Sequence, residues 1–359
     1  MAVGQTSRNR PEHDDSNGDC RYRRGTVVRL AVVRLATAVV LLLLSGSLGM
    51  AAAQAPAKDP RVGYLSPGSS SDPARLRRFE AFRDGLRELG YVEGRNIAIE
   101  SRWADGKYER YPALTGDLVR LKVDVIVVVG GAATQAARQV TRTIPIVMTA
   151  VNDPLGSGLV SSLAHPGGNI TGTSLMAPDV VGKQLEALKE MVPKVSRVAL
   201  LWNPDNPGSA PQLRQAEVAA RALGMRLQTL EARGPQEIER AFAAMTRERA
   251  GALVVLTDAI FTNQGRQIAE LAAEKRVPAV YGHIEQAGAG GLIAYSANLV
   301  DLERRAATFV DKILKGAKPG DLPVEQPTKL ELVINLRAAK AIGLTIPPSL
   351  LQRADQIID

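Results

Sequence analysis

The residues best equipped for chemistry in this chain stand at the ends of apolar runs. Ser66 and Ser69 follow Val62-Gly63-Tyr64-Leu65, Gly131, Ala132 and Thr134 follow Val125 to Val129, and Thr149, Asn152 and Asp153 follow Ile144 to Met148. Further along, Asn203, Asn206 and Ser209 follow Val198 to Trp202, Asp258 closes Ala252 to Thr257, and Tyr281 and Glu285 follow Val277 to Val280. Hydroxyls, amides, two kinds of carboxylate and a Gly-Gly turn can hydrogen-bond a small polar solute. No serine or threonine among them is paired in sequence with a base, as nucleophilic catalysis requires. Asn, Asp, Ser and Gly at strand ends also serve as turn formers and helix caps, which is the competing structural role for each of these positions.

The known catalytic and cofactor motifs are missing. The chain has no G-x-S-x-G elbow, no H-E-x-x-H, no P-loop and no strand-linked G-x-G-x-x-G. Of its 3 histidines, His13 is in the N-terminal leader, and His165 and His283 are far apart. Neither a catalytic residue, a metal site nor a cofactor is expected, and binding suits the residues better than catalysis.

The elements that must position these residues follow from hydrophobic patterning. Five apolar residues, Val125 to Val129, closed by Gly130-Gly131 and followed by helix-compatible sequence, read as a parallel strand feeding a helix N-terminus. In open α/β sheets, ligands sit off the carboxyl ends of such strands. The order strand, helix, strand, helix begins at Arg61 and continues through Ile146. Helical spacing of Phe79, Phe82, Leu86 and Leu89 marks one of the connecting helices.

The same signals then recur. Arg197 to Pro204 echoes Arg61 to Pro67, Arg221-Ala222-Leu223-Gly224-Met225 echoes Arg87-Glu88-Leu89-Gly90-Tyr91, Gly251 to Asp258 stands where Val123 to Gly130 stood, and Val277 to Tyr281 where Ile144 to Met148 stood. The expected fold is α/β, with two similar doubly wound parallel-sheet lobes joined by a multi-strand hinge. Residues 60–150 form the first lobe, 151–178 a Gly-, Pro- and Ser-rich crossover, and 179–298 the second lobe. The tail over about 300–345 is expected to return to the first lobe and complete it. In this arrangement the strand-end residues of the two lobes face each other across a cleft. Gly130 to Thr134 offers N–H and hydroxyl donors to an anion, and Asp258 offers a carboxylate to an ammonium.

Residues 1–55 differ in kind. Arg21, Arg23, Arg24, Arg29 and Arg34 precede the apolar run Leu35 to Leu44, and a small-residue run, Ala51-Ala52-Ala53-Gln54-Ala55, follows. This is the order of a secretory signal with an extended leader, cleaved after Ala53 or Ala55. Its uninterrupted apolar core is shorter than the ~20 residues of a comfortable membrane span. The only cysteine, Cys20, lies upstream of that core. The processed protein is therefore expected to have neither disulfides nor a lipidated N-terminus, and to be periplasmic. Part of the net charge of +8 belongs to the leader. With no basic run interleaved with aromatics and an export signal in place, a nucleic-acid partner is not expected.

Taken together, Val62-Gly63-Tyr64-Leu65, the long loop Asn152-Asp153-Pro154-Leu155-Gly156 to His165-Pro166-Gly167-Gly168-Asn169-Ile170-Thr171-Gly172, and Trp202-Asn203-Pro204 resemble the ABC-transporter substrate-binding proteins of the tryptophan-binding TrpX type. The resemblance spans Arg61 to about Pro348. It implies a type I periplasmic-binding fold that closes on a small-molecule ligand, then docks on an ABC permease powered by a cytoplasmic ATPase. On this reading the permease is the only contact with the membrane. Loop matching carries a ligand-binding role onto Ser66, Gly131, Ala132, Asn152, Asp153, Asn203, Ser209 and Asp258. An amino acid would suit the pattern. A ligand-sensing module for a membrane receptor is the alternative use of the same architecture.

Overall fold

Runs of β-branched and other apolar residues, too short and too continuously buried for helices, form the strands of two sheets. The computed structural model describes residues 59–359; the leader, Cys20 and the apolar run Leu35 to Leu44 lie outside the described residues. In chain order the first part is β1 (Arg61–Ser66), α1 (Pro73–Glu88), β2 (Ala98–Trp103), α2 (Tyr111–Arg120), β3 (Val125–Val129), α3 (Gly131–Val140), β4 (Ile146–Val151) and β5 (Ile170–Ser174). The second part is α4 (Ala177–Met191), β6 (Arg197–Trp202), α5 (Ser209–Ala222), β7 (Arg226–Glu231), α6 (Pro235–Arg247), β8 (Ala252–Val255), α7 (Ala259–Asn263), α8 (Gly265–Glu274), β9 (Ala279–Tyr281), α9 (Ile284–Gly288) and β10 (Ile293–Ala297). The tail adds α10 (Leu299–Leu314), β11 (Leu330–Asn335), α11 (Leu336–Ala341), α12 (Pro348–Arg353) and β12 (Gln356–Ile358).

The first sheet has the order β2-β1-β3-β4-β5, parallel throughout. The second has the order β12-β11-β10-β9-β8-β6-β7, parallel except where β10 meets β11. In both, the strand order reverses direction after the second strand, so the switch point lies between β1 and β3 in the first sheet and between β6 and β8 in the second. Helices cover both faces, and each sheet has its own pair of cores. Val125 and Val127 pack on one face of the first sheet and Ile126 and Val128 on the other.

The tail departs from the sequence expectation, which assigned about 300–345 to the first lobe. Only α10 and the chain up to Glu325 pack there. Helix α10 lies along α1, where Gly85 lets the two helices approach: a Cβ on it would fall 2.6 Å from the carbonyl oxygen of Arg304. Glu325 bridges to Thr173 beside β5. Strand β11 then pairs antiparallel with β10 in the second sheet. The reason is its two-sided burial: Leu332 and Ile334 enter one core of the second lobe and Val333 the other. In that position it covers a β10 edge that would otherwise be unpaired. The expected crossover, 151–178, likewise contains β5, which completes the first sheet. The chain therefore passes between the lobes after β5, after β10 and before β11.

A candidate solute site between the lobes

Each wall of the cleft is set by what terminates a strand. Strand β3 ends at Gly130, whose φ of 90° is the left-handed region that favours glycine. This turn starts α3 with no side-chain cap. Thr134 N–H is the first amide taken up inside the helix, by the Gly130 carbonyl, so those of Gly131, Ala132 and Ala133 are the orphan donors that every helix N-terminus has. Gly130, Gly131, Ala132 and Ala133 line a small cavity between the lobes. Asn152 lines it from the end of β4, Asn206 and Asp258 from the ends of β6 and β8, and His283 from the end of β9.

Asp258 is only 2% exposed and is held by four donors. Its Oδ1 accepts from Ile260 N–H at 2.7 Å, capping α7. Its Oδ2 accepts from Asn206 Nδ2 at 2.7 Å, Tyr108 Oη at 2.9 Å and Asn203 Nδ2 at 3.3 Å. Burial pushes its carboxyl above the usual range, and the four hydrogen bonds work in the opposite direction.

The opposite wall is cationic. Arg75 and Arg78, in the first turns of α1, are 4% and 2% exposed and line the cavity. Arg75 Nη2 donates to Asn263 Oδ1 at 2.8 Å. Arg78 Nε donates to Glu285 Oε1 at 3.1 Å, and its Nη2 lies 2.9 Å from the same oxygen but out of line to donate. Glu303, fully buried on α10, accepts from Thr149 Oγ1 at 2.8 Å. Burial pushes its carboxyl up to about 7, against Thr149, Arg78 and Arg75, which favour the charged form. His283 is driven to about 3 mainly by burial and is a neutral imidazole. Glu285 is raised by burial, but Arg78, helped by a backbone hydrogen bond and Arg75, outweighs this and holds it below the usual range.

Several of these contacts join the two lobes. Arg75 to Asn263, Arg78 to Glu285, Tyr108 to Asp258, and Asn152 Nδ2 to the Thr257 carbonyl at 2.8 Å all cross the cleft. The structure is a closed form. Arg75 Nε, Arg78 Nη2, His283 Nδ1, Glu285 Oε2 and Glu303 Oε2 are buried without a hydrogen-bond partner among the described residues. Gathered in one place, these groups have hydrogen-bonding capacity to offer a bound solute.

Of the residues predicted from sequence, Gly131, Ala132, Asn152, Asn206 and Asp258 line the cavity. Others lie just behind it: Asn203 donates to Asp258, Thr149 donates to Glu303, and Glu285 pairs with Arg78. The rest are placed elsewhere. Ser69 hydrogen-bonds Ser71 in an exposed turn, and Ser66 accepts from Gly68 N–H. Asp153 accepts from Gly156 N–H, and Thr134 bonds back to the Gly130 carbonyl. Ser209 is buried at the start of α5, outside the cavity lining. Tyr281 is packed in the second lobe's core, its ring against Gly291.

Sequence reasoning missed Arg75, Arg78, Tyr108, Tyr111, His283 and Glu303. A signal was present for three of them. Arg75 and Arg78 share the buried face of α1 with Phe82 and Leu86, and Glu303 sits on the α10 stripe of Leu299, Leu302, Ala306 and Val310. A charge on an apolar stripe needs a partner, and so points to a site. Among the described residues, no group of three or more metal-type ligands is gathered, and no helix is long and apolar enough to cross a membrane.

Comparison with known proteins finds relatives of the same fold. A profile of the family described as "ABC transporter substrate binding protein" matches residues 69–358. A tyrosine-binding protein of Clostridioides difficile (strain R20291) is 27% identical over 287 residues, covering 80% of this chain and 81% of that protein. A structure of an ABC domain in complex with L-Trp, from Streptococcus pneumonia, is 27% identical with a TM-score of 0.78, covering 84% of this chain and 100% of that one. A conserved domain protein from Vibrio cholerae is 28% identical with a TM-score of 0.79 and the same coverage. The two-lobe α/β architecture is that of type I periplasmic binding proteins, and the matched family is one of substrate-binding proteins rather than enzymes.

Proposed function

The chain belongs to the family of ABC transporter substrate-binding proteins, and on that premise we propose that it captures an amino acid between its lobes and hands it to a membrane permease driven by a cytoplasmic ATPase. One observation carries this reading: complements to the two ends of an amino acid lie on opposite lobes. The orphan N–H groups at the start of α3 suit the carboxylate, since helix N-termini favour anions. The buried Asp258 carboxylate, with the carboxamide of Asn206 beside it, suits the ammonium. Tyr108 and Tyr111, with ring centroids 5.3 Å apart, supply an aromatic wall. The amino acids named for two of the relatives, tyrosine and L-Trp, support the same class.

Export completes the proposal. The basic leader, apolar core and small-residue run support cleavage and release outside the cytoplasm, with no cysteine downstream for lipidation. Delivery then requires the permease as the sole membrane contact. A thermal-shift screen of the processed protein tests the ligand class. An amino acid at 100 times its Kd should add about 2.7 kcal/mol of stability, and Asp258→Asn should weaken an ammonium-bearing hit more than a neutral one. Stabilisation by sugars or nucleosides and by no amino acid would overturn the reading.

A further inference from the structure

Resting on the amino-acid reading above, we propose that Arg75, backed by Arg78, forms a second anion site in the cleft, and that the solute is an amino acid whose side chain ends in a carboxylate. The first observation is the state of Arg75. It is 4% exposed and lines the cavity, and its Nε has no hydrogen-bond partner among the described residues. Its only fixed polar contact is the neutral Asn263. Asp72 Oδ2, the nearest carboxylate oxygen, lies 3.8 Å from Nε, beyond hydrogen-bond reach.

A second observation is that the position is built. Gly68 makes room for the arginine: a Cβ there would fall 2.7 to 2.9 Å from Arg75 Cγ, Nε and Cδ. Asn263 then fixes the far end of the guanidinium from the other lobe, so the fork is held in place in the closed form.

A third is the balance of charge. Arg75 and Arg78 face Glu285, the one carboxylate of the cluster in direct contact with a guanidinium. Glu303 is pushed up to about 7 by burial, and His283 is neutral. Burial and the neighbouring Arg78 lower Arg75 itself to about 10, with Glu285 and Asp72 working in the opposite direction. A buried guanidinium is stable only when paired and hydrogen-bonded, and a planar carboxylate matches its fork with two bonds. The α3 N-terminus already serves one carboxylate, so the arginine pair provides for a second.

The test is isothermal titration of the processed protein with L-glutamate, L-aspartate, their neutral amides L-glutamine and L-asparagine, and glutarate. At least one acidic amino acid should bind about 30-fold or more tighter than its amide, the worth of charge-assisted hydrogen bonds. Arg75→Gln should collapse that ratio to near one. Gly68→Ala, which displaces the Arg75 side chain without removing its charge, should also reduce it and covers the case of a poorly folded Arg75 variant. The proposal is overturned if the amides bind as tightly as the acids, if Arg75→Gln weakens both equally, or if no carboxylate-bearing compound binds. Arg75-dependent binding of glutarate, with none of any amino acid, upholds the second anion site and refutes the amino-acid reading on which it was built.

Discussion

The two lobes share a plan of parallel strands with ligand-facing carboxyl ends, yet they bring opposite charges to the cleft. The first lobe contributes cations and donors: Arg75, Arg78, Tyr108 Oη and the free amides of α3. The second contributes acceptors: Asp258, Glu285, Asn263 Oδ1 and the Thr257 carbonyl. Repetition of an architecture therefore need not mean repetition of a surface. Because the walls are complementary, closure satisfies groups of one lobe with groups of the other, and the same groups are available to a zwitterion lying between them. In the open form they are solvated instead.

The sharpest way to break this comparison is to remove the charge pair. Arg78→Ala leaves Glu285 buried without its cation whenever the lobes close, which costs about 3 kcal/mol for a buried pair. The chain avoids that cost by opening, so small-angle scattering should show a larger radius of gyration, with at most a similar loss of stability in urea. An unchanged radius and unchanged stability would mean that the lobes close for other reasons.

An intermediate effect comes from pH. Glu303, raised from 4.5 to about 7, binds a proton more tightly when folded, so its contribution makes stability fall as pH rises from about 4.5 to about 7. His283, lowered from 6.5 to about 3, binds its proton more tightly when unfolded, so its contribution makes stability fall as pH drops from about 6.5 to about 3. The two slopes oppose each other in the shared window. Glu303→Gln should expose the histidine slope alone, with stability rising steadily towards pH 6.5 in denaturation curves. A flat profile in that variant would show that His283 does not titrate as its burial requires.

The smallest effect should follow Tyr108→Phe. This removes one hydrogen bond from the first lobe to Asp258 and leaves the ring in place, at about 1 kcal/mol. A much larger loss would mean that Asp258 depends on the first lobe, rather than on Asn203 and Asn206 of its own.

Much of the fold was legible because its strands are continuous apolar runs closed by Gly, Asn or Asp, as at Val125 to Gly130 and Leu253 to Asp258. Strand β11 was read as a strand but placed in the wrong lobe, since alternation in Leu330 to Asn335 fixes the type of element and not its neighbour. Residues at strand ends are local in sequence, so Gly131, Asn152, Asn206 and Asp258 could be found from their runs. Arg75, Arg78 and Glu303 could not be paired that way. Their partners are Asn263, Glu285 and Thr149, far along the chain, and contacts of that kind appear only once the lobes are assembled.

The repeated passage of the chain between the lobes has a mechanical consequence. A single linker would let the lobes twist and slide freely, whereas three crossings of the backbone, after β5, after β10 and before β11, resist torsion more than one would. The tight packing of α10 on α1 at Gly85 stiffens one of these passages from the first lobe's side. Closure then brings Arg75 to Asn263 and Tyr108 to Asp258 in one fixed register.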